Sequence, residues 1–184
     1  MEKIWIIGAG PIAQEYAKVL NSLGREYFVI GRGEKSASDF KEKVGQNVIT
    51  GGLTNYLRTT PPVADMVIVA TRTTELSSIC IELMNFGVKN IFCEKPGFLF
   101  PEECQKVYKV AEEKGTNLFL AYNRRFFSSV LKAEEIIKED GGVLSFNFEF
   151  TEWSHVIANL PYPKEILEND FYSNTTHVID LAFF

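Results

Sequence analysis

The first part of the chain alternates short apolar runs with longer amphipathic segments. The apolar runs predict strands at Ile4–Ile7, Tyr27–Ile30, Val48–Ile49, Met66–Ala70, Asn90–Cys93 and Asn117–Tyr122. Uninterrupted runs of this kind, without polar alternation, are typical of strands that are covered on both faces. Strands joined by helices predict a parallel sheet with right-handed crossovers. The pattern therefore predicts a doubly wound α/β domain.

The segments between these runs carry apolar residues at helical spacing. Two stripes illustrate this: Ile12, Ala13, Tyr16, Ala17 and Leu20 in the first segment, and Leu76, Ile79, Cys80, Leu83 and Met84 in a later one. A shorter helix is predicted at Ser36–Lys43. Another helix is predicted to begin at Pro101, where the acidic residues that follow suit the positive end of the helix dipole. Each stripe predicts a helix face that packs against the sheet.

The pattern changes toward the C-terminus. From Val143 to Phe150 apolar residues alternate with polar ones, which is typical of a strand buried on one side in an antiparallel sheet. Residues 153–174 lack periodicity, and residues 175–184 are helical and apolar in pattern. Because one strand does not form a sheet, we predict a first domain at 1–123 and an incomplete second domain at 124–184. Its exposed edges predict pairing with another chain or poor order.

Composition and charge narrow the possible functions. The 184 residues are 46% hydrophobic, enough for a sizeable core, and a net charge of −5 argues against nucleic acid as a partner. No apolar run approaches the length of a membrane span, and the N-terminus runs into the first strand without a signal peptide. Cys80, Cys93 and Cys104 lack CxxC spacing, and the two histidines form no metal-ligand cluster. These features predict a cytoplasmic protein with reduced thiols and no metal site.

The segment GAGPIA, Gly8–Ala13, follows the first strand directly and opens the first predicted helix. Gly8 permits a sharp turn, and Gly10 lets backbone N–H groups approach a diphosphate at the positive end of the helix. The small Ala13 allows the helix to approach the strand closely. The predicted cofactor contacts in this segment are Gly8, Ala9, Gly10, Pro11 and Ile12. The alternative interpretation is an ordinary glycine turn without a ligand.

The end of the second strand bears on the choice of nucleotide. Domains that prefer NAD usually place a carboxylate there, to bind the ribose hydroxyls. Here the positions are Gly31 and Arg32, and no carboxylate occurs before Glu34. Arg32, with Lys35 nearby, is suited to hold a 2′-phosphate, so the sequence favours NADP over NAD. The alternative is that Arg32 is solvated and that either cofactor is accepted.

Polar residues also follow the fourth strand, at the edge where doubly wound sheets bind ligands. Ala70, Thr71 and Arg72 are predicted to contact the nicotinamide side of the cofactor. For Thr73 and Thr74 we favour a different role, which is to cap the next helix.

The fifth strand ends at Glu94-Lys95-Pro96, on the same predicted edge. Lys95 is a candidate acid–base group, because partial burial and neighbouring charge change the pKa of a lysine. From these residues alone, a surface Glu–Lys pair before a proline is an equally good interpretation. Asn123, which follows the sixth strand, joins Glu94 and Lys95 among the predicted cofactor contacts.

Three separated motifs resemble those of the Gfo/Idh/MocA family of NAD(P)-dependent oxidoreductases: Gly8-x-Gly10-x-x-Ala13, Glu94-Lys95-Pro96 and His177-x-x-Asp180. The segment YNRRF at 122–126 also resembles the point where the chain of that family leaves its nucleotide domain. The resemblance spans the whole chain. It implies a Rossmann domain, followed by an α/β domain with a mainly antiparallel sheet, here truncated. It also implies substrates such as sugars, inositols, other polyols and nucleotide-linked sugars, and a homo-oligomer that forms through the second domain.

The resemblance further implies hydride transfer between a carbinol carbon and the nicotinamide ring. Lys95 is then expected to bind the reacting oxygen, His177 to act as the partner acid–base group, and Ser173 and Asp180 to contact substrate. Ser173 stands where members of the family often carry an aspartate, and Thr175 where they carry a glycine. The missing carboxylate weakens the charge support for His177. The alternative function is therefore a non-catalytic nucleotide-binding or interaction module.

Overall fold

The computed structural model describes residues 2–169 and 175–184. The chain divides into two compact units, Met1–Leu120 and Ala121–Phe184. In the described part of the chain, no helix is both long and apolar enough to cross a membrane.

The N-terminal unit alternates strands and helices. Its strands are β1 (Ile4–Ile7), β2 (Tyr27–Ile30), β3 (Val48–Ile49), β4 (Met66–Val69), β5 (Asn90–Cys93) and β6 (Asn117–Leu120). Its helices are α1 (Pro11–Ser22), α2 (Glu34–Val44), α3 (Leu53–Arg58), α4 (Leu76–Phe86) and α5 (Pro101–Lys114). Helix α2 begins before the predicted Ser36, and the short helix α3 was not predicted.

The six strands form one parallel sheet in the order β3-β2-β1-β4-β5-β6. Strand β1 pairs with both β2 and β4, so that Ile4 lies opposite Tyr27 on one side and Met66 on the other. The chain therefore reverses its direction of winding between β1 and β4. A crevice at the carboxyl ends of the strands is expected at such a switch point. The strand order and the parallel pairing confirm the predicted doubly wound parallel sheet.

Side chains of β1 enter both of the layers that cover the sheet. Trp5 and Ile7 belong to one buried cluster, and Ile4 and Ile6 belong to the cluster on the opposite face. Trp5 is 2% exposed, and its ring meets that of Tyr56 edge-on at a centroid distance of 5.2 Å. Because successive side chains of a strand point to opposite faces, an all-apolar run such as β1 requires both coverings.

The C-terminal unit contains a 3-10 turn at Asn123–Phe126 and four helices in its described part: α6 (Ser128–Glu139), α7 (Ser154–Ile157), α8 (Lys164–Glu168) and α9 (Thr176–Phe183). Helix α9 confirms the helix predicted at the end of the chain. The strand predicted at Val143–Phe150 is wrong, since these residues carry no regular secondary structure. A strand depends on hydrogen bonds to a neighbouring strand, and no described segment of this unit supplies one. Pairing with another chain stays a prediction.

Candidate functional site

Backbone hydrogen bonds continue across the carboxyl ends of the central strands. The amide of Gly8 donates to Ile30 O at 2.9 Å, that of Ala70 to Ile7 O at 2.8 Å, and that of Glu94 to Val69 O at 2.9 Å. The residues that directly follow β1, β4 and β5 therefore lie side by side at one edge of the sheet. The sequence placed its candidate residues of the N-terminal unit at this edge.

Gly8 has a φ of +116°, which side chains rarely tolerate. A Cβ added there would lie 2.2 Å from the carbonyl oxygen of Ala70, so the turn after β1 touches the backbone at the end of β4. By contrast, a Cβ on Gly10 would meet no atom within 4 Å. Gly10 is the N-cap of α1 and makes no side-chain capping hydrogen bond. The start of α1 thus combines open space with backbone N–H groups at the positive end of a helix.

Gly31 allows the ends of β2, β3 and the glycine turn to come together. A Cβ on Gly31 would lie 2.8 Å from Val48 Cγ1 and 3.2 Å from the Cβ of Ala9. The amide of Gly31 donates to Ile49 O at 2.9 Å. Gly31 therefore serves the packing of this edge, whether or not it also contacts a ligand.

Arg32 extends from the end of β2, and its side chain is 68% exposed. Its Nη1 donates to Oε1 of Glu75 at 2.8 Å. Glu75 lies in the 3-10 turn Thr73–Glu75 between β4 and α4. Arg32, the residue that the sequence predicts will bind the 2′-phosphate, is thus already paired with a carboxylate. Sequence reasoning missed Glu75, because no local pattern links two residues that are 43 positions apart.

At the end of β4, Ala70 is buried and Thr71 is partly buried. Thr71 Oγ1 is a buried atom without a hydrogen-bond partner among the described residues. Arg72 is exposed. The predicted capping role of Thr73 and Thr74 is wrong: both lie within the 3-10 turn, and the N-cap of α4 is Glu75, with no side-chain capping bond. The turn displaces the helix start beyond the two threonines.

At the end of β5, Glu94 and Lys95 are both half-buried. The hydroxyl of Tyr16, on α1, donates to Oε1 of Glu94 at 2.6 Å. Burial, together with the adjacent Glu94 carboxylate, raises the pKa of Tyr16. The amide of Gly97 donates to Glu94 O at 3.0 Å, which closes a turn around Lys95 and a cis Pro96. The helical stripe predicted that Tyr16 faces the sheet, where it is partly buried, but it did not predict the polar partner. The stripe is wrong for Ile12, which is exposed in the first turn of α1.

The remaining candidate residues lie in the C-terminal unit. His177 is 8% exposed, and its ring meets that of Tyr122 edge-on at 5.7 Å. Burial is the main cause that raises the pKa of Tyr122. Asn123 is exposed at the start of the 3-10 turn. Ser173 lies outside the described residues.

Asp180 forms a two-pronged ion pair with Arg125. Nε of Arg125 donates to Oδ2 of Asp180 at 2.7 Å, and Nη2 donates to Oδ1. The side chain of Asp180 is 8% exposed, and this contact raises the pKa of the guanidinium. The guanidinium also lies 4.4 Å from the ring centroid of Phe184. The pair joins the 3-10 turn to α9, so Asp180 has a structural role, and its contact with substrate stays a prediction.

Three features of the N-terminal unit fit a dinucleotide. The turn at Gly8 allows a close backbone approach, the space at Gly10 leaves room in front of α1, and Thr71 Oγ1 offers a buried polar atom without a partner. Diphosphates bind at such helix N-termini because the N–H groups and the dipole both favour negative charge. The start of α1 at this edge is thus suited to an anionic group such as a diphosphate.

Known proteins resemble this chain in sequence. The profile of the family GFO_IDH_MocA, described as "Oxidoreductase family, NAD-binding Rossmann fold", matches residues 3–122. An uncharacterized oxidoreductase of Streptococcus pneumoniae serotype 4 (strain ATCC BAA-334 / TIGR4) is 26% identical over 166 residues, which are 89% of this chain and 44% of that protein. The 2,7-anhydro-N-acetylneuraminate hydratase of Escherichia coli (strain K12) is 32% identical over 78 residues, 41% of this chain and 21% of that enzyme.

Solved structures share the fold at lower identity. The WlbA dehydrogenase of Chromobacterium violaceum, in complex with NADH and UDP-GlcNAcA, has a TM-score of 0.67 and 21% identity, over 76% of this chain and 40% of that one. The myo-inositol 2-dehydrogenase of Lactobacillus plantarum has a TM-score of 0.66 and 21% identity, over 75% and 41% of the two chains. The chain thus spans less than half the length of the relatives that it matches.

Proposed function

Because the chain belongs to the oxidoreductase family with an NAD-binding Rossmann fold, we propose that it binds a nicotinamide dinucleotide and serves hydride transfer. The substrate is a sugar, an inositol or a nucleotide-linked sugar, and the reacting atom is one of its carbinol carbons. The observation that carries the proposal is the contact between Gly8 and the Ala70 backbone. It joins the glycine turn to the end of β4 at the switch point, where open α/β sheets bind ligands.

The proposed roles follow the order of the strands in the sheet. Residues 8–12 and the start of α1 bind the diphosphate, while Gly31 and Arg32 border the ribose of the adenosine half. Ala70, Thr71, Arg72, Glu94, Lys95 and Asn123 border the nicotinamide half. The nicotinamide ring, when bound, donates or accepts the hydride.

Lys95 and His177 have the proposed proton-handling roles. The ammonium group of Lys95 donates a hydrogen bond to the reacting oxygen of the substrate and stabilises negative charge on it. His177 exchanges a proton with substrate, since an imidazole ordinarily titrates near neutral pH. Ser173 and Asp180 complete the proposed substrate contacts.

The cofactor we propose is NADP(H), with Arg32 as the ligand of the 2′-phosphate. A phosphate monoester carries about −1.5 to −2 charges at pH 7, so it competes effectively with the single charge of Glu75 for the guanidinium. The structure of the WlbA dehydrogenase contains NADH. The affinities of the present chain for NADH and for NADPH must therefore be compared directly. Titration of the protein with NADH and with NADPH, monitored by nicotinamide fluorescence, tests both the binding of a nicotinamide dinucleotide and the preference for NADP(H). A folded protein that binds neither contradicts the proposal, and tighter binding of NADH contradicts the preference for NADP(H).

The second candidate function is a non-catalytic nucleotide-binding module. It is favoured by Ser173, because members of the family often carry an aspartate at that position. Turnover separates the two candidates. Oxidation of myo-inositol or a UDP-linked sugar that is lost in Lys95→Ala, even when the variant is saturated with cofactor, supports the enzyme. Cofactor binding without turnover across such a panel supports the module.

A further inference from the structure

Tyr16 connects the helix of the glycine turn to the end of β5. It lies in the second turn of α1, and its hydroxyl donates to Glu94 Oε1 at 2.6 Å, across 78 positions of sequence. Glu94 directly precedes Lys95, which is proposed to donate a hydrogen bond to the reacting oxygen of the substrate. The stripe of α1 identifies Tyr16 as a core residue, yet it carries a polar group to the functional edge.

The ring of Tyr16 also contacts β5. It meets the ring of Phe92 edge-on, with a centroid distance of 5.9 Å and an interplanar angle of 82°. Phe92 and Glu94 are two positions apart, the spacing at which side chains of a strand point to the same face. Tyr16 therefore contacts both of them from one side. Together with the hydrogen bond from the Glu94 amide to Val69 O at 2.9 Å, this fixes Glu94 at its main chain and its side chain.

The chemistry of the pair leaves Glu94 able to bind a ligand. A carboxylate accepts about four hydrogen bonds, and Tyr16 supplies one of them. Burial and the neighbouring carboxylate raise the pKa of Tyr16, so its hydroxyl keeps the proton that it donates. In the sheet, β5 and β2 lie on opposite sides of β1. Glu94 therefore lies on the side away from Arg32 and the adenosine half.

We propose that Tyr16 is a positioning residue, whose hydroxyl orients the Glu94 carboxylate to accept hydrogen bonds from the ribose hydroxyls next to the nicotinamide. The inference rests on the proposed function, because it requires a bound dinucleotide. It assigns Tyr16 a role beyond the packing of α1. Its effect is confined to the nicotinamide half of the ligand.

The test compares Tyr16→Phe with Tyr27→Phe. Tyr27 is a matched control, since its hydroxyl also makes one part-buried hydrogen bond, to Asn21 Oδ1 at 3.1 Å, in another part of the unit. The probes are NADH, which carries both halves, and ADP, which lacks the nicotinamide and its ribose. In Tyr16→Phe the Kd for NADH is expected to rise about 3- to 10-fold, the effect of one lost hydrogen bond. The Kd of Tyr16→Phe for ADP is expected to stay within about twofold of the wild-type value. In Tyr27→Phe, the Kd values for NADH and for ADP should both stay within about twofold of the wild type.

A double-mutant cycle with Glu94→Gln shows whether Tyr16 acts through Glu94. If it does, the double variant binds NADH no more weakly than Glu94→Gln alone. Losses that multiply overturn the inference, as does an unchanged NADH affinity in Tyr16→Phe, or an equal loss for ADP. If Tyr16→Phe fails to fold, Glu94→Gln must still weaken the binding of NADH more than that of ADP. An equal loss for the two ligands overturns the inference. If the wild-type protein binds neither NADH nor NADPH, the proposed function itself is overturned, and this inference with it.

Discussion

Replacing Gly8 with alanine adds one methyl group at the point where the glycine turn meets β4. The new Cβ would lie 2.2 Å from Ala70 O and 2.8 Å from Ala70 C. These are backbone atoms within a hydrogen-bonded sheet, so the turn must move away from β4. The substitution also forces a side chain into a φ of +116°.

Both effects have known magnitudes. Overpacking costs about 1 to 3 kcal/mol, and a strained backbone conformation costs about 1 to 3 kcal/mol. We therefore expect Gly8→Ala to lower the free energy of unfolding by about 2 to 6 kcal/mol, a large share of the stability of a typical domain. Gly24→Ala is the matched control. Its φ is +62°, but a Cβ there meets nothing within 4 Å, so only the strain, about 1 to 2 kcal/mol, remains.

Urea unfolding measures the loss of stability in Gly8→Ala, and NADH titration measures the effect on cofactor binding. The folded fraction of Gly8→Ala should bind NADH at least about tenfold more weakly, because the displaced turn no longer faces the end of β4. Gly24→Ala should bind like the wild type. Equal stabilities of the two variants would refute the steric reasoning, and normal NADH binding by folded Gly8→Ala would refute the proposed site.

Three further predictions concern charged and titrating groups. Glu75→Gln should raise the affinity for NADPH about threefold without changing that for NADH, because an exposed pair with Arg32 is worth less than about 1 kcal/mol; unchanged NADPH affinity would show that Arg32 is not the phosphate ligand. The pKa of Tyr16 is raised above its ordinary 10.0, so its contribution to stability is complete below pH 10 and decreases above it, since the unfolded chain loses its proton first. In Tyr16→Phe, the urea midpoint should fall less between a pH below 10 and a pH above 10 than it does in the wild type. An equal fall in the two proteins would contradict this. Asp180→Asn should destabilise the C-terminal unit by about 1 to 3 kcal/mol, because Arg125 loses its charged partner; an unchanged urea midpoint would contradict a structural role for the pair.

The sheet could be predicted closely because its strands are largely apolar, with Asn90 and Asn117 as polar first residues of β5 and β6. The expected covering on both faces is wrong for the edge strand β6, where Asn117 and Phe119 are exposed. The runs at Ile4–Ile7, Tyr27–Ile30 and Asn90–Cys93 match β1, β2 and β5 residue for residue. The alternating segment Val143–Phe150 gave a wrong prediction. Its period of two is compatible with a strand, but a strand forms only where a neighbour supplies hydrogen bonds.

Local sequence determined the glycine turn, the alternating order of strands and helices, and the polar residues that follow the strands, since each is visible in a stretch of neighbouring residues. Tertiary structure alone decided that Glu75 holds Arg32, that Tyr16 reaches Glu94 and that Asp180 holds Arg125. Periodicity tells which face of an element is buried, but not which residue from another element will meet it. Those pairings arise only when distant segments pack together.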